Sequence, residues 1–132
     1  SPTSAPASSA VPGPAPKSKE GAIQRYEQFL HAVGREDLDT ICEVAGPAAK
    51  KAEDDGFGPC RSTFPITFRM IPDSQQQAMR TATVDPQRVV VQGPTKVVIP
   101  LSAVKSTSPL SEEAMGDSAT VEYIGNNWYV TD

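Results

Sequence analysis

The most regular pattern of apolar and polar positions in the chain begins at Gly21 and is helical. Apolar side chains recur there at spacings of three and four residues, as on the buried face of an amphipathic helix. A shorter repeat of the same kind follows Gly34 and ends before Gly46-Pro47. We therefore predict one helix over residues 21–33, terminated by Gly34, and a short second helix. The positions that define them are Ala22, Ile23, Tyr26, Phe29, Leu30 and Val33, then Leu38, Ile41, Cys42 and Ala45.

The middle of the chain is less clear. Gly46-Pro47 can start a third helix, which Asp54-Asp55-Gly56 would break. The stretch FPITFRMIP, residues 64–72, alternates as a strand does, but it also fits a helix capped by Ser62 or Thr63. Both alternatives stay open, and Pro72 ends either one. A short helix over residues 75–82, capped by Asp73 or Ser74, is predicted next.

After Pro86 the pattern becomes that of strands. Valine-rich segments over residues 88–91 and 96–104 flank Gly93-Pro94 and predict a hairpin, with Pro100 at an edge or a bulge. A serine-rich loop over residues 105–117 leads to a last pair of strands around a Gly-Asn-Asn turn. These strands are predicted from alternating Ala119, Val121 and Tyr123, and from Trp128, Tyr129 and Val130. We expect helices in the first two thirds and at least three antiparallel strands after residue 86.

The first 19 residues differ in composition from the rest. They are rich in Pro, Ala and Ser, and Val11 is their only sizeable apolar side chain. Such a segment cannot bury enough surface to offset its ordering entropy, so residues 1–19 are predicted to be a disordered, semi-stiff linker. Residues 20–132 are predicted to form a single domain. The chain begins with Ser rather than Met, and we expect its natural N-terminus, with any membrane anchor, to lie upstream of residue 1.

The charge of the chain argues against nucleic acid as a partner. The formal net charge is −4, and the 12 Lys and Arg residues are scattered among 16 acidic ones. Phosphate binding needs clustered basic residues, which the sequence lacks. The sequence also contains neither a stretch of roughly 18 apolar residues nor a signal-peptide pattern. We therefore expect contact with a membrane only through an upstream anchor.

Cys42 and Cys60 are the only two cysteines. With one His in the whole chain they cannot build a four-ligand zinc site, and their spacing is far from Cys-x-x-Cys. A structural disulfide and a pair of buried free thiols remain as alternatives. A Pro/Ala/Ser spacer before a small domain favours an oxidising compartment and therefore the disulfide. On the same ground we expect an extracytoplasmic location, in the cell envelope or secreted.

These features together resemble a known group of domains. A Pro/Ala-rich spacer, the helix bearing Tyr26 and Phe29, the segments AVGREDLDTIC and RTATVDPQRVVVQG, and the closing GNNWYV are similar to secreted or membrane-anchored actinobacterial domains of the nuclear transport factor 2-like, or cystatin-like, fold. The resemblance spans residues 20–132 and implies an α+β domain whose N-terminal helices pack on a curved antiparallel sheet. Cys42 and Cys60 match positions where such domains often carry a disulfide. The stretch FPITFRMIP departs from the pattern.

Catalytic members of this fold, such as isomerases and dehydratases, place an acid, a base or an oxyanion donor inside the cone between sheet and helices. The candidates in this chain have simpler interpretations. His31 lies far from the apolar face of its helix and is expected on the surface. Asp37 and Asp39 suit helix capping, and the Glu53-Asp54-Asp55 run lacks the alternating ligand spacing of a calcium loop. We expect no catalytic residue, no metal and no cofactor.

Three functions remain as hypotheses. The first is a non-enzymatic extracytoplasmic domain, displayed on a linker, that binds a protein or a cell-envelope component through its sheet face or edge. The second is a small-molecule carrier with an apolar pocket in the cone, lined by Tyr26, Phe29, Tyr123 and Trp128. The third is an isomerase- or dehydratase-like enzyme. The fold hosts all three, and we favour the first.

Overall fold

The computed structural model describes residues 17–107, 110 and 117–131. Most of the predicted linker, residues 1–16, and part of the predicted serine-rich loop, residues 108–109 and 111–116, lie outside the described residues. The helices are α1 (Lys19–Arg35), α2 (Leu38–Val44), α3 (Gly46–Asp54), α4 (Cys60–Met70) and α5 (Asp73–Met79). The strands are β1 (Thr83–Val84), β2 (Val90–Gly93), β3 (Lys96–Pro100), β4 (Val104–Lys105), β5 (Ser118–Ile124) and β6 (Asn127–Val130).

Helix α1 begins where a capping side chain precedes it and runs past the predicted stop. The Ser18 hydroxyl accepts a hydrogen bond from the Gly21 N–H at 3.2 Å, which satisfies one of the free donors of the first turn. The helix ends at Arg35, and Glu36 follows in the left-handed conformation with φ of 57°. The prediction that Gly34 ends the helix is therefore wrong. A Cβ at Gly34 would lie 2.7 Å from the backbone N of Arg80, so this glycine allows α5 to pack closely against α1.

Four strands form an antiparallel sheet in the order β2-β3-β5-β6. Side chains alternate between its faces, and the register places Val97, Val121 and Val130 side by side on one of them. These valines are buried, as are Ile99 and Trp128, and α1 packs against β5 and β6. The predicted α+β class, with helices first and antiparallel strands after residue 86, is confirmed.

The opposite side of this sheet, which we call the open face, is less covered. The register aligns Val90 with Val98 and Thr120 in one row and Lys96 with Glu122 and Tyr129 in the next. All six side chains are half-buried or exposed. The sheet thus has one face in the core and one in contact with solvent, as antiparallel sheets commonly do.

The strand predicted over residues 96–104 is shorter than expected. It ends at Pro100, which pairs with Ser118 at the end of the ladder, and one 3₁₀ turn follows over Leu101–Ala103. Proline lacks an N–H and is tolerated at the end of a ladder better than inside one. The chain then pairs β4 with β1 in a separate two-stranded sheet, a contact that the sequence did not predict.

Residues 60–70 form a helix, which resolves the two alternatives for this stretch. Phe64 and Phe68 contact the core, whereas Ile66 and Met70 are 58% and 75% exposed. A strand would have placed all four side chains on one face. Pro65 lies inside α4 and removes one backbone hydrogen bond from it. We infer that packing of the two phenylalanines outweighs this cost.

Among the described residues, we find no helix with both the length and the apolar character needed to cross a membrane.

Candidate functional site

Cys42 and Cys60 form a disulfide, as predicted. The bond joins α2 to the first residue of α4, with Cα atoms 5.9 Å apart. Both cysteines are in this bond, so the alternative of two free thiols is wrong. Cys42 itself is half-buried, and the residues of α2 that enter the core are Ile41 and Val44, so the expectation that Cys42 points into the core is wrong. The bond is a crosslink between two short helices.

An apolar cavity of about 220 Å³ lies between α1, α4 and α5. Tyr26, Phe29 and Val33 of α1 form one wall, and Phe64 and Thr67 of α4 form another. Ile71 and Met79 complete its lining.

Three aromatic rings line this cavity, and a fourth, Phe68, lies next to Phe64 outside the lining. The Phe29 ring stacks on Tyr26 at 6.0 Å between centroids and meets Phe64 edge-on at 6.3 Å. Phe64 in turn lies 6.1 Å from Phe68. Burial raises the pKa of Tyr26 to about 12, because the phenolate would lose its hydration.

Two other aromatic residues named from the sequence lie elsewhere. Tyr123 and Trp128 face each other across β5 and β6 with ring centroids 5.4 Å apart. Trp128 is buried in the core with Leu30, Val97 and Ile99. The structure thus brings Tyr26 and Phe29 together at the helical cavity, and Tyr123 and Trp128 together on the sheet.

Arg25 is a buried cation that the sequence analysis missed. Its side chain is 0% exposed, and its Nε donates a hydrogen bond to the carbonyl oxygen of Trp128 at 2.8 Å. The guanidinium also lies 5.2 Å from the centre of the Tyr129 ring, and NH1 is 4.0 Å from a carboxylate oxygen of Glu43. Burial lowers the pKa of Arg25, while Glu43 and Tyr129 oppose this change.

The contacts of Arg25 link helix α1 to strand β6. Trp128 pairs with Tyr123 across the strands, and the backbone N–H of Trp128 donates a hydrogen bond to the Asn127 side-chain oxygen at 2.9 Å. The Trp128 carbonyl bonded by Arg25 is on the last strand of the sheet, β6, which α2 and α3 also contact. Arg25 therefore helps to close this edge of the sheet. A signal was present in the sequence, since Arg25 falls three residues after Ala22 and four before Phe29, on the apolar stripe.

The acidic candidates serve as helix caps and surface ion pairs. Asp37 is the N-cap of α2 and accepts hydrogen bonds from the N–H and the hydroxyl of Thr40. Asp39 pairs with Arg61 of α4, and Asp54 pairs with Lys50 at 3.0 Å on α3. In residues 17–107, 110 and 117–131, no group of three or more His, Cys, Asp or Glu side chains is placed to hold a metal ion.

His31 is half-buried, not on the surface as expected. Its Nε2 lies 2.8 Å from the carbonyl oxygen of Ala82, and because a carbonyl only accepts, this nitrogen carries the proton. The expectation failed because the chain after α5 crosses the polar side of α1. The neighbouring Glu27 accepts a hydrogen bond from the Val84 N–H at 2.9 Å on the same side.

We expect His31→Ala to lower the free energy of unfolding by about 1 kcal/mol, the usual contribution of one such hydrogen bond. Chemical denaturation would measure this change. Gln24→Ala, at an exposed position of the same helix, is the control and should change the free energy of unfolding by less than about 0.5 kcal/mol. Equal effects of the two substitutions would contradict the assigned hydrogen bond.

Among the described residues, large exposed apolar side chains lie on β2, on α4, at the end of β5 and at Phe57, which is 72% exposed between α3 and α4. Val90 and Val91 on β2 are 49% and 53% exposed, and Ile124 at the end of β5 is 47% exposed. On the helical side, Ile66 and Met70 lie one turn apart on the outer surface of α4. Large exposed apolar residues in clusters commonly mark contact surfaces.

Comparisons of the chain with protein-family models, with curated proteins and with solved structures found no match.

Proposed function

We propose that this chain is a non-enzymatic, extracytoplasmic binding domain that holds an extended segment of a partner protein along β2. The observation that carries the proposal is the position of β2 at the end of the sheet. Within the described part of the chain, β2 pairs with β3 alone. An edge strand offers backbone N–H and C=O groups to an incoming strand, which is a common mode of peptide recognition.

The side chains around β2 suit such a partner. Val90 and Val91 are about half exposed, and the open face continues from Val90 to Val98 and Thr120. Natural edge strands are commonly protected by charged residues or proline, whereas β2 itself reads VVQG. The register shifts between Val91 and Gly93, so we infer that the partner strand pairs with the N-terminal half of β2.

The partner segment should be apolar with acidic flanks. Its side chains on one side would contact Val90 and the rest of the open face. The exposed cationic side chains of Arg88 and Lys96 lie near the two ends of β2, where they would favour carboxylates, although Arg88 also pairs with Asp85 at 3.6 Å.

The filled interior supports a binding role over an enzymatic one. Leu30, Trp128 and Val121 occupy the space between α1 and the sheet, where an enzyme of the proposed nuclear transport factor 2-like fold would need its site. The two buried ionisable groups discussed above, Arg25 and Tyr26, are poor acids or bases at neutral pH. The Cys42–Cys60 disulfide supports an extracytoplasmic location, because such bonds persist in oxidising compartments.

Photocrosslinking tests the proposal. The photoreactive amino acid p-benzoylphenylalanine is placed at Val91, or at exposed Gln77 on α5 as the control, and each protein is irradiated with the cell-envelope fraction of the source organism. We expect a discrete adduct from Val91 that excess unlabelled domain removes and excess Val91→Lys domain does not. Absence of an adduct at Val91, or the same adducts from Gln77, would overturn the proposal.

A further inference from the structure

We infer that the cavity between α1, α4 and α5 is a binding site for a small uncharged apolar molecule, such as a single aromatic ring or a compact bicyclic ring. This site is separate from the β2 edge and does not depend on the function proposed there. It also differs in place from the cone pocket expected from the sequence, because α4 and α5 form its walls instead of the sheet.

The size of the cavity sets the size of the ligand. Its volume is about 220 Å³. An apolar protein cavity of about 150 Å³ holds benzene, which has six carbon atoms. In proportion, this cavity accommodates about nine non-hydrogen atoms, the size of indole. A folded long acyl chain or a steroid would not fit.

The lining sets the chemistry of the ligand. It contains no ionisable side chain except Tyr26, and a tyrosine phenol is neutral at physiological pH. The hydroxyl of Thr67 donates to the Thr63 carbonyl within α4 at 3.3 Å, so it is already partnered. Phe29 and Phe64 meet edge-on, and a planar guest ring could join them in the offset or edge-on contacts that aromatic pairs prefer.

The wall formed by α4 gives a route of entry. Pro65 interrupts the backbone hydrogen bonding of this helix next to Phe64 and Thr67. Phe68 is its only buried residue, so few core contacts resist a small displacement. Met79 on the far side is flexible enough to adjust to guests of different shape.

Titration of the protein with toluene and with indole, followed by two-dimensional NMR, tests the inference. We expect saturable shifts of the amides around the cavity and a rise in melting temperature with ligand concentration. Thr67→Phe fills the cavity from α4, and Val33→Phe fills it from α1; each should weaken binding at least tenfold. Ser62→Phe adds the same ring at an exposed position of α4 and should bind as the unmodified protein does.

Linear, unsaturable shifts in the unmodified protein, or equal affinity in Thr67→Phe and Ser62→Phe, would overturn the inference. If both filled variants fail to fold, nuclear Overhauser contacts decide. Contacts between indole protons and the methyl groups of Val33 and Met79 in the unmodified protein would support the site. Contacts with exposed Ile66 or Met70 alone would refute it.

Discussion

Removal of the Cys42–Cys60 bond is expected to lower the free energy of unfolding by about 3 kcal/mol, because the bond closes a loop of 18 residues in the unfolded chain. For a small domain this is a large fraction of the total stability. The Cys42→Ala/Cys60→Ala double variant, compared with the oxidised protein by thermal and chemical denaturation, measures the effect. The double variant leaves no unpaired thiol behind.

The structure also predicts which segment loses stability first when the disulfide is removed. Helix α3 contains no buried residue, and Phe68 is the only one in α4. Residues 46–63 therefore depend on the crosslink more than on burial. Without it, their amide protons should exchange much faster than those of α1. Uniform acceleration across the domain would contradict this local role.

A reductant provides the control. It should lower the melting temperature of the unmodified protein and leave that of the double variant unchanged. An unchanged melting temperature of the unmodified protein, with the thiols shown to be free after treatment, would refute the stabilising role of the bond.

The sequence predicted best the elements whose signals are local. The stripe from Ala22 to Val33 specifies α1 with little help from the rest of the chain. The final hairpin likewise follows from alternation and the Gly125-Asn126 turn, since Gly125 has a positive φ of 67°. The disulfide was favoured over two free thiols because the Pro/Ala/Ser spacer indicated an oxidising compartment.

The sequence could not choose the state of residues 60–70, because the period of two and the helical period both fit this stretch. The choice depends on contacts with α1, such as the one between Phe64 and Phe29, which are distant in sequence. Pairing of β1 with β4 was missed for a related reason. Two-residue strands carry no periodic signal, and their pairing is a tertiary contact.

For the candidate sites too, residues on one helix could be predicted from the sequence, whereas contacts between distant segments could not. Tyr26 and Phe29 were named from their place on the stripe of α1, but the rest of the cavity lining comes from the unpredicted packing of α4 and α5. His31 was misplaced because a helical wheel considers one helix alone. Its partner, Ala82, belongs to the segment that crosses the other side of α1.

Substitution of Arg25 by alanine is the second change expected to have a large effect, a loss of about 3 kcal/mol in the free energy of unfolding. Two losses add. Truncation of the fully buried side chain leaves a cavity, and the hydrogen bond from Arg25 to the Trp128 carbonyl is lost. Relief of the buried charge offsets part of this loss. Glu43 is about half exposed, so its carboxylate remains hydrated after the substitution.

Arg25→Met separates these contributions. It keeps most of the buried aliphatic volume but removes the charge and the hydrogen bond to Trp128. Because neither NH1 nor NH2 has a hydrogen-bond partner among the described residues, loss of the charge also relieves an unfavourable burial. We therefore expect Arg25→Met to cost about 1 kcal/mol, well below the cost of alanine.

Arg35→Ala is the matched control, since Arg35 lies on the same helix with its side chain 54% exposed. It should change the free energy of unfolding by less than about 0.5 kcal/mol. Chemical denaturation of the three variants measures how much each lowers the free energy of unfolding. We expect Arg25→Ala to be the most destabilising, Arg25→Met intermediate and Arg35→Ala the least destabilising. If Arg25→Met destabilised the domain as much as Arg25→Ala, the hydrogen bond at the β6 edge, and not the packing of the stem, would account for the burial of this arginine.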